Sequence, residues 1–114
     1  ERASLGVVFD QVGTPTCAAD LAEAIAAMLP RLRAGTREIY HFTNEGVCSW
    51  YDFAKAVVEL SGLSCEVRPI LSEDYPTKAA RPHFSVLDKS KIKRDFGLKI
   101  PHWRDALARC LKDF

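Results

Sequence analysis

Apolar residues recur along this chain at two spacings. A short run at residues 5–9, carrying Leu5, Val7, Val8 and Phe9, predicts a strand. Residues 10–16, broken by Gly13 and Pro15, predict a loop. Leu21, Ala24, Ile25, Met28, Leu29 and Leu32 then fall at helical spacing and predict a helix over residues 18–33 with one apolar face. Pro30 kinks or tightens its end, and Gly35 stops it. Residues 38–43 alternate imperfectly, which predicts a second strand covered on both sides. Ser49 with Asp52 three positions on reads as a near capping box, opening a helix that runs to Ser61 with Phe53, Val57 and Leu60 inward and Gly62 at its end. Residues 65–71 form a third extended segment, placed at a sheet edge because Pro69 cannot donate to a ladder. A short basic helix over residues 89–96 closes at Gly97. Pro101 starts the last helix, whose buried face carries Trp103, Ala106, Leu107, Cys110 and Leu111.

The resulting order is three short strands and four helices, an α/β arrangement. Three strands alone make a thin sheet, so the first two are expected to join a larger sheet upstream. The chain opens at Glu1 without a Met or a charged-then-apolar leader, and an excised piece of a larger protein is expected. Its 114 residues, 47% of them hydrophobic, suit one small globular domain. With 16 basic and 15 acidic residues spread along the chain, no stripe points to nucleic acid. The apolar runs are too short to span a bilayer. Cys17, Cys48, Cys65 and Cys110 never pair as CxxC, so four reduced, mostly buried thiols of a cytoplasmic protein are expected rather than a zinc site or a disulfide framework.

The long irregular stretch over residues 75–88 carries the candidate chemistry. A compact domain seldom keeps such a connection unless it touches a ligand. Its one guanidinium, Arg81, is a planar fork suited to phosphate or carboxylate. Tyr51 and Lys55 satisfy a YxxxK spacing but sit in a helix where packing and surface roles are expected. His41, His83 and His102 are isolated, so no metal ligation is expected; His83 lies near Arg81. Trp50 and Trp103 stand at helix starts in packing positions, and Lys89, Lys91, Lys93 and Arg94 read as a solvated face. The six glycines never form GxGxxG, so no dinucleotide cradle is expected on this chain.

An ordered set of short pieces resembles the C-terminal part of the dTDP-4-dehydrorhamnose reductase family, within the extended short-chain dehydrogenase/reductases. The pieces are residues 7–16 with Asp20, Leu21 and Ala22; residues 39–42 with Gly46; residues 49–54; Tyr75, Pro76 and Thr77; Arg81 and Pro82; residues 85–88; Lys91; Phe96 and Gly97; and residues 101–103. The resemblance implies a Rossmann-type enzyme of two parts. An N-terminal part, absent here, holds NADPH or NADH and the catalytic Tyr and Lys. Residues 1–114 form the sugar-nucleotide-binding portion that closes over a dTDP-linked 4-keto-6-deoxyhexose. The C4 ketone is reduced to give dTDP-L-rhamnose for cell-surface polysaccharide. The chain by itself is then expected to be inactive, with no catalytic, cofactor-binding or metal residue of its own. Mg2+ at a subunit contact and a homodimer are left open. The alternative is a non-catalytic regulatory module of the same architecture, as in the methionine adenosyltransferase regulatory subunit.

On that resemblance Arg81 is expected to grip the diphosphate of the sugar nucleotide, because relatives use an arginine before such a Ser/Asp-helix segment in this way. Gln11 and Thr16 follow a strand, where open α/β sheets place ligands; their amide and hydroxyl suit the sugar or pyrophosphate, and suit equally the fixing of the loop and the capping of the next helix. Many relatives carry an arginine in this loop where Thr14, Pro15 and Thr16 stand here, which leaves more of the phosphate recognition to Arg81. Tyr75 suits either closure over the base or sugar or packing of its ring on the domain.

Overall fold

The computed structural model describes residues 3–113. Strand β1 (Ser4–Val8) runs parallel to β4 (Glu66–Ile70), with Ser4 level with Glu66 and Val8 level with Ile70. Pro69 sits level with Val7 in this two-stranded sheet, so its missing N–H falls on a strand with a free edge. Helix α2 (Trp50–Ser61) packs on both strands. The first extended run therefore pairs with the third, not with residues 38–43.

Residues 38–43 are not a strand, contrary to the expected alternation. They run without a ladder partner among the described residues, and Ile39 is 77% exposed. Side chains hold the segment instead: the Tyr40 hydroxyl donates to Asp95 Oδ2 (2.8 Å), its ring meets Phe96 edge-on, and Lys91 Nζ reaches Glu38 (2.6 Å) and the Ile39 carbonyl (3.0 Å). A strand requires a neighbour, and none lies beside this segment among the described residues.

A very short strand lies within residues 10–16, where a plain loop was expected, and a second lies at the entry to α2. β2 (Val12–Gly13) pairs antiparallel with β3 (Cys48–Ser49), and Val12 also bridges Phe84 in parallel. Two residues are too few for a hydrophobic period to register.

Helix α1 (Ala18–Met28) ends in a tight 3-10 turn over Leu29–Arg31, where Pro30 removes a donor from the ladder. Its apolar stripe faces outward: Leu21, Ile25, Leu29 and Leu32 are 39–60% exposed, and the helix buries Asp20 and Ala24. Asp20 turns inward because the Arg109 guanidinium grips both its oxygens (2.6 and 3.1 Å) and Asn44 donates to it (2.8 Å). In α2 the Ser49–Asp52 capping box forms in both directions, and Gly62 closes the helix in the left-handed region at φ 67°.

Helix α3 (Ser90–Phe96) begins one residue later than expected, and Lys89 before it is buried, not solvated. Glu45 makes that burial tolerable by pairing with Lys89 (3.1 Å) and with Lys93. Helix α4 (Trp103–Leu111) is opened by His102, whose Nδ1 accepts from the Arg104 N–H (3.1 Å), rather than by Pro101. The core sits between α2 and α4, where Trp103 and Ala56 pack with Cys48, Phe53 and Leu107. All four cysteines are free thiols; Cys48 is buried, and Cys17, Cys65 and Cys110 are half-buried.

Candidate functional site

The segment around Arg81 is irregular but tied down. The Val12 N–H donates to the His83 carbonyl and the Ser85 N–H donates to the Val12 carbonyl, each at 2.8 Å. His83 Nδ1–H donates to the Asp10 carbonyl (2.8 Å). These bonds draw residues 83–85 alongside β2, whose other edge carries β3. The juncture closes a cavity of about 370 Å³ lined by residues 11–15, Cys48, Ser49, Trp50, Phe53, Arg81, Pro82 and Ser85. That volume suits a small molecule.

Arg81 is the one residue of formal charge in the lining, and no ion-pair partner faces it among the described residues. Its fork is therefore available to an anion. Gln11 also lines the cavity, yet its Nε2 already donates to Ser72 Oγ (3.1 Å). Ser72 in turn donates through both Oγ (2.7 Å) and N–H (3.0 Å) to Asp10 Oδ1, and these bonds hold the Asp10 carboxyl below the usual range.

Thr16 is exposed and Tyr75 is 63% exposed, and neither lines the cavity. The threonine that does is Thr14, whose hydroxyl donates to the Gly46 carbonyl (2.6 Å) and so fixes the loop. Trp50, expected to pack, is 58% exposed and lines the cavity. Ser49, Phe53 and Ser85 complete the wall. Ser85 stands in the Ser/Asp segment that follows Arg81, a signal that reading for charge alone passed over.

Burial, with Asp52 nearby, pushes the Cys48 thiol up to about 11, so it stays protonated near neutrality. Tyr51 and Lys55 line a separate groove between α2 and the start of α4, and Lys55 pairs with Glu59 (3.9 Å). No group of three or more His, Cys, Asp or Glu suited to a metal occurs among the described residues. A dinucleotide cradle does not fit these residues either. Gly6 and Gly13 lie within strands, and the glycines at positive φ (35, 46, 62 and 97) stand after helices or in turns, so none opens a helix toward a pyrophosphate. No helix among the described residues is long and apolar enough to cross a membrane.

Residues 1–114 match the family described as the RmlD substrate binding domain. The spore coat polysaccharide biosynthesis protein SpsK of Bacillus subtilis (strain 168) is 41% identical over 112 residues, covering 98% of this chain and 38% of its own length. A dTDP-4-dehydrorhamnose reductase of Aggregatibacter actinomycetemcomitans is 40% identical over 116 residues, covering 93% of this chain and 39% of its own. Among solved structures, a dTDP-4-dehydrorhamnose reductase from Bacillus anthracis str. Ames in complex with NADP superposes with a TM-score of 0.90 at 31% identity, covering 99% of this chain and 39% of that one. The chain thus spans well under half the length of these relatives.

Proposed function

The chain belongs to the RmlD substrate binding domain family, and from that premise we propose that the Arg81 cavity receives the dTDP-linked hexose of a dTDP-4-dehydrorhamnose reductase. The observation that carries this reading is the position of Arg81: an arginine without an ion-pair partner among the described residues, on the wall of a cavity that Ser49, Trp50 and Ser85 also line. The guanidinium takes the diphosphate in charge-assisted contact. The Trp50 face and the small polar groups take the base or the sugar. Thr16 and Tyr75 take supporting roles: Thr16 precedes α1, and Tyr75 ends the turn that carries Ser72, the partner of the cavity-lining Gln11.

In the intact protein this portion closes over the substrate while the remaining part, outside this chain, carries the nicotinamide cofactor, NADPH or NADH, and the catalytic groups. The product is dTDP-L-rhamnose, made in the cytoplasm. The outward apolar stripe of α1 and the exposed Ile39 support a longer protein, because the missing part supplies cover for them. The chain alone is expected not to turn over, because the resemblance puts the catalytic Tyr and Lys in the remaining part.

Titration of dTDP into the chain, followed by amide NMR shifts, tests the reading. Shifts are expected to cluster at Gln11, Ser49, Trp50, Arg81 and Ser85. Arg81→Ala is expected to weaken binding roughly tenfold or more, the loss of one charge-assisted contact of about 1.5–3 kcal/mol. An unchanged Kd, or shifts confined to other faces, overturns the assignment.

A further inference from the structure

We propose that Cys17 and Cys110 form a reversible disulfide that staples the start of α1 to the end of α4 when the chain meets a disulfide oxidant such as oxidised glutathione. The two Sγ atoms stand 2.9 Å apart although 93 positions separate the residues in sequence. A disulfide needs about 2.05 Å, so closure requires a shift of less than about 1 Å.

The surroundings hold the pair in place. Three residues after Cys17, Asp20 is gripped by the guanidinium of Arg109, the residue before Cys110. The Cys17 N–H donates to Asn44 Oδ1 (2.7 Å), and Asn44 is buried and bonded to Asp20 and to the Pro101 carbonyl. Two backbones clamped by an ion pair and a shared asparagine thus present their thiols to each other before any bond forms. Both thiols are half-buried, which leaves them within reach of a small oxidant.

Cys17 is the attacking sulfur. It stands at the N-terminus of the eleven-residue α1, where partial positive charge favours a thiolate, and its contact with the Cys110 side chain lowers its pKa. The Cys17 thiolate attacks one sulfur of glutathione disulfide, forming a mixed disulfide and expelling one glutathione thiolate. Cys110, after giving its proton to solvent, attacks Cys17 Sγ and expels the second. The protein loses two protons and two electrons, and the oxidant leaves as two molecules of glutathione. Cys17 stands two residues after Pro15, the last of the cavity-lining residues 11–15, so the staple ties the chain that leaves that wall to α4.

The test incubates the full chain in glutathione buffers of rising oxidised fraction, quenches with acid, alkylates the free thiols and maps the peptides by mass spectrometry. An intramolecular Cys17–Cys110 link is expected, lost on dithiothreitol, absent in Cys17→Ser and in Cys110→Ser, and retained in Cys65→Ser. Full alkylation of both thiols in the most oxidising buffer overturns the proposal, and so does their recovery only as separate glutathione adducts or in links between chains. The wild-type map decides the matter even where a serine variant fails to fold.

Discussion

A methyl group on Gly13 would stand 2.9 Å from the hydroxyl oxygen of Ser85. The approach is this close because the 2.8 Å backbone bonds between Val12 and residues 83 and 85 set the spacing of the two segments. Both residues line the cavity wall beneath Arg81. In Gly13→Ala the backbones stay paired and the Ser85 hydroxyl swings aside, away from its weak contact with the Val12 carbonyl (3.4 Å). The expected stability loss is small, about 1 kcal/mol. Affinity for dTDP is expected to fall roughly fivefold, a further ~1 kcal/mol. Thermal melts and titration on the same sample separate the two effects, and unchanged affinity removes Ser85 from the binding wall.

Asp20 predicts how stability responds to acid. Arg109 foremost, and then Asn44, hold its carboxyl below the usual range against the opposing effect of burial. Because the folded pKa lies below the unfolded value of about 3.9, the unfolded chain binds the proton more readily. The contribution is complete above that value and disappears as the pH falls through the folded pKa. Glu45, held down by Lys93 and then Lys89, acts in the same direction. Asp20→Asn is expected to lower stability by on the order of 2 kcal/mol at neutral pH and to flatten the acid limb of a melting-temperature profile between pH 7 and 3. An acid limb as steep as wild type would show that the pair contributes nothing through its charge.

Gly46 and Gly35 share a left-handed backbone, φ 85° and 83°, but not a setting. A Cβ on Gly46 would lie 2.5 Å from His102 Nε2 and 3.0 Å from Trp103 Cδ1, whereas nothing lies within 4 Å of the same position at Gly35. Gly35→Ala therefore costs the backbone strain alone, about 1 kcal/mol. Gly46→Ala adds a clash at the start of α4, where the Glu45 carbonyl accepts from the Trp103 N–H (2.9 Å), and is expected to cost roughly 3 kcal/mol. Combining Gly46→Ala with His102→Ala is expected to recover part of that loss in urea unfolding. Equal costs for the two alanines would mean that the His102 contact does not matter.

These comparisons also mark what was legible in the chain. The ends of α2 were readable because a capping box and a left-handed glycine are local events, complete within a few residues. Residues 38–43 were misread because alternation cannot report whether a partner strand exists. The burial of Lys89 was hidden for a similar reason: its partner Glu45 lies 44 positions away, and a lysine before a basic helix looks solvated until that carboxylate is placed beside it. Arg81 was singled out through its irregular surroundings and through the family resemblance, and it lies on the cavity wall. Trp50 was passed over, since a tryptophan at a helix start carries the same pattern whether its ring enters a core or a cavity wall.

Ser49 has two tasks that substitution separates. Its hydroxyl oxygen accepts from the Asp52 N–H (3.0 Å), while Asp52 Oδ2 accepts from the Ser49 N–H (3.1 Å), so the two residues cap α2 reciprocally. Ser49 also lines the Arg81 cavity, and Asp52 does not. Ser49→Ala and Asp52→Ala each remove one half of the cap and are expected to destabilise the chain by similar amounts, about 1 kcal/mol, read as a shift in the urea midpoint. Titration with dTDP divides the pair. Ser49→Ala, which removes a hydroxyl from the wall, is expected to bind several-fold more weakly, and Asp52→Ala is expected to bind as wild type does once the folded fraction is accounted for. A parallel loss of affinity in both variants would mean that the ligand senses only the order of the first turn of α2, and the Ser49 hydroxyl would then have no contact of its own with the ligand.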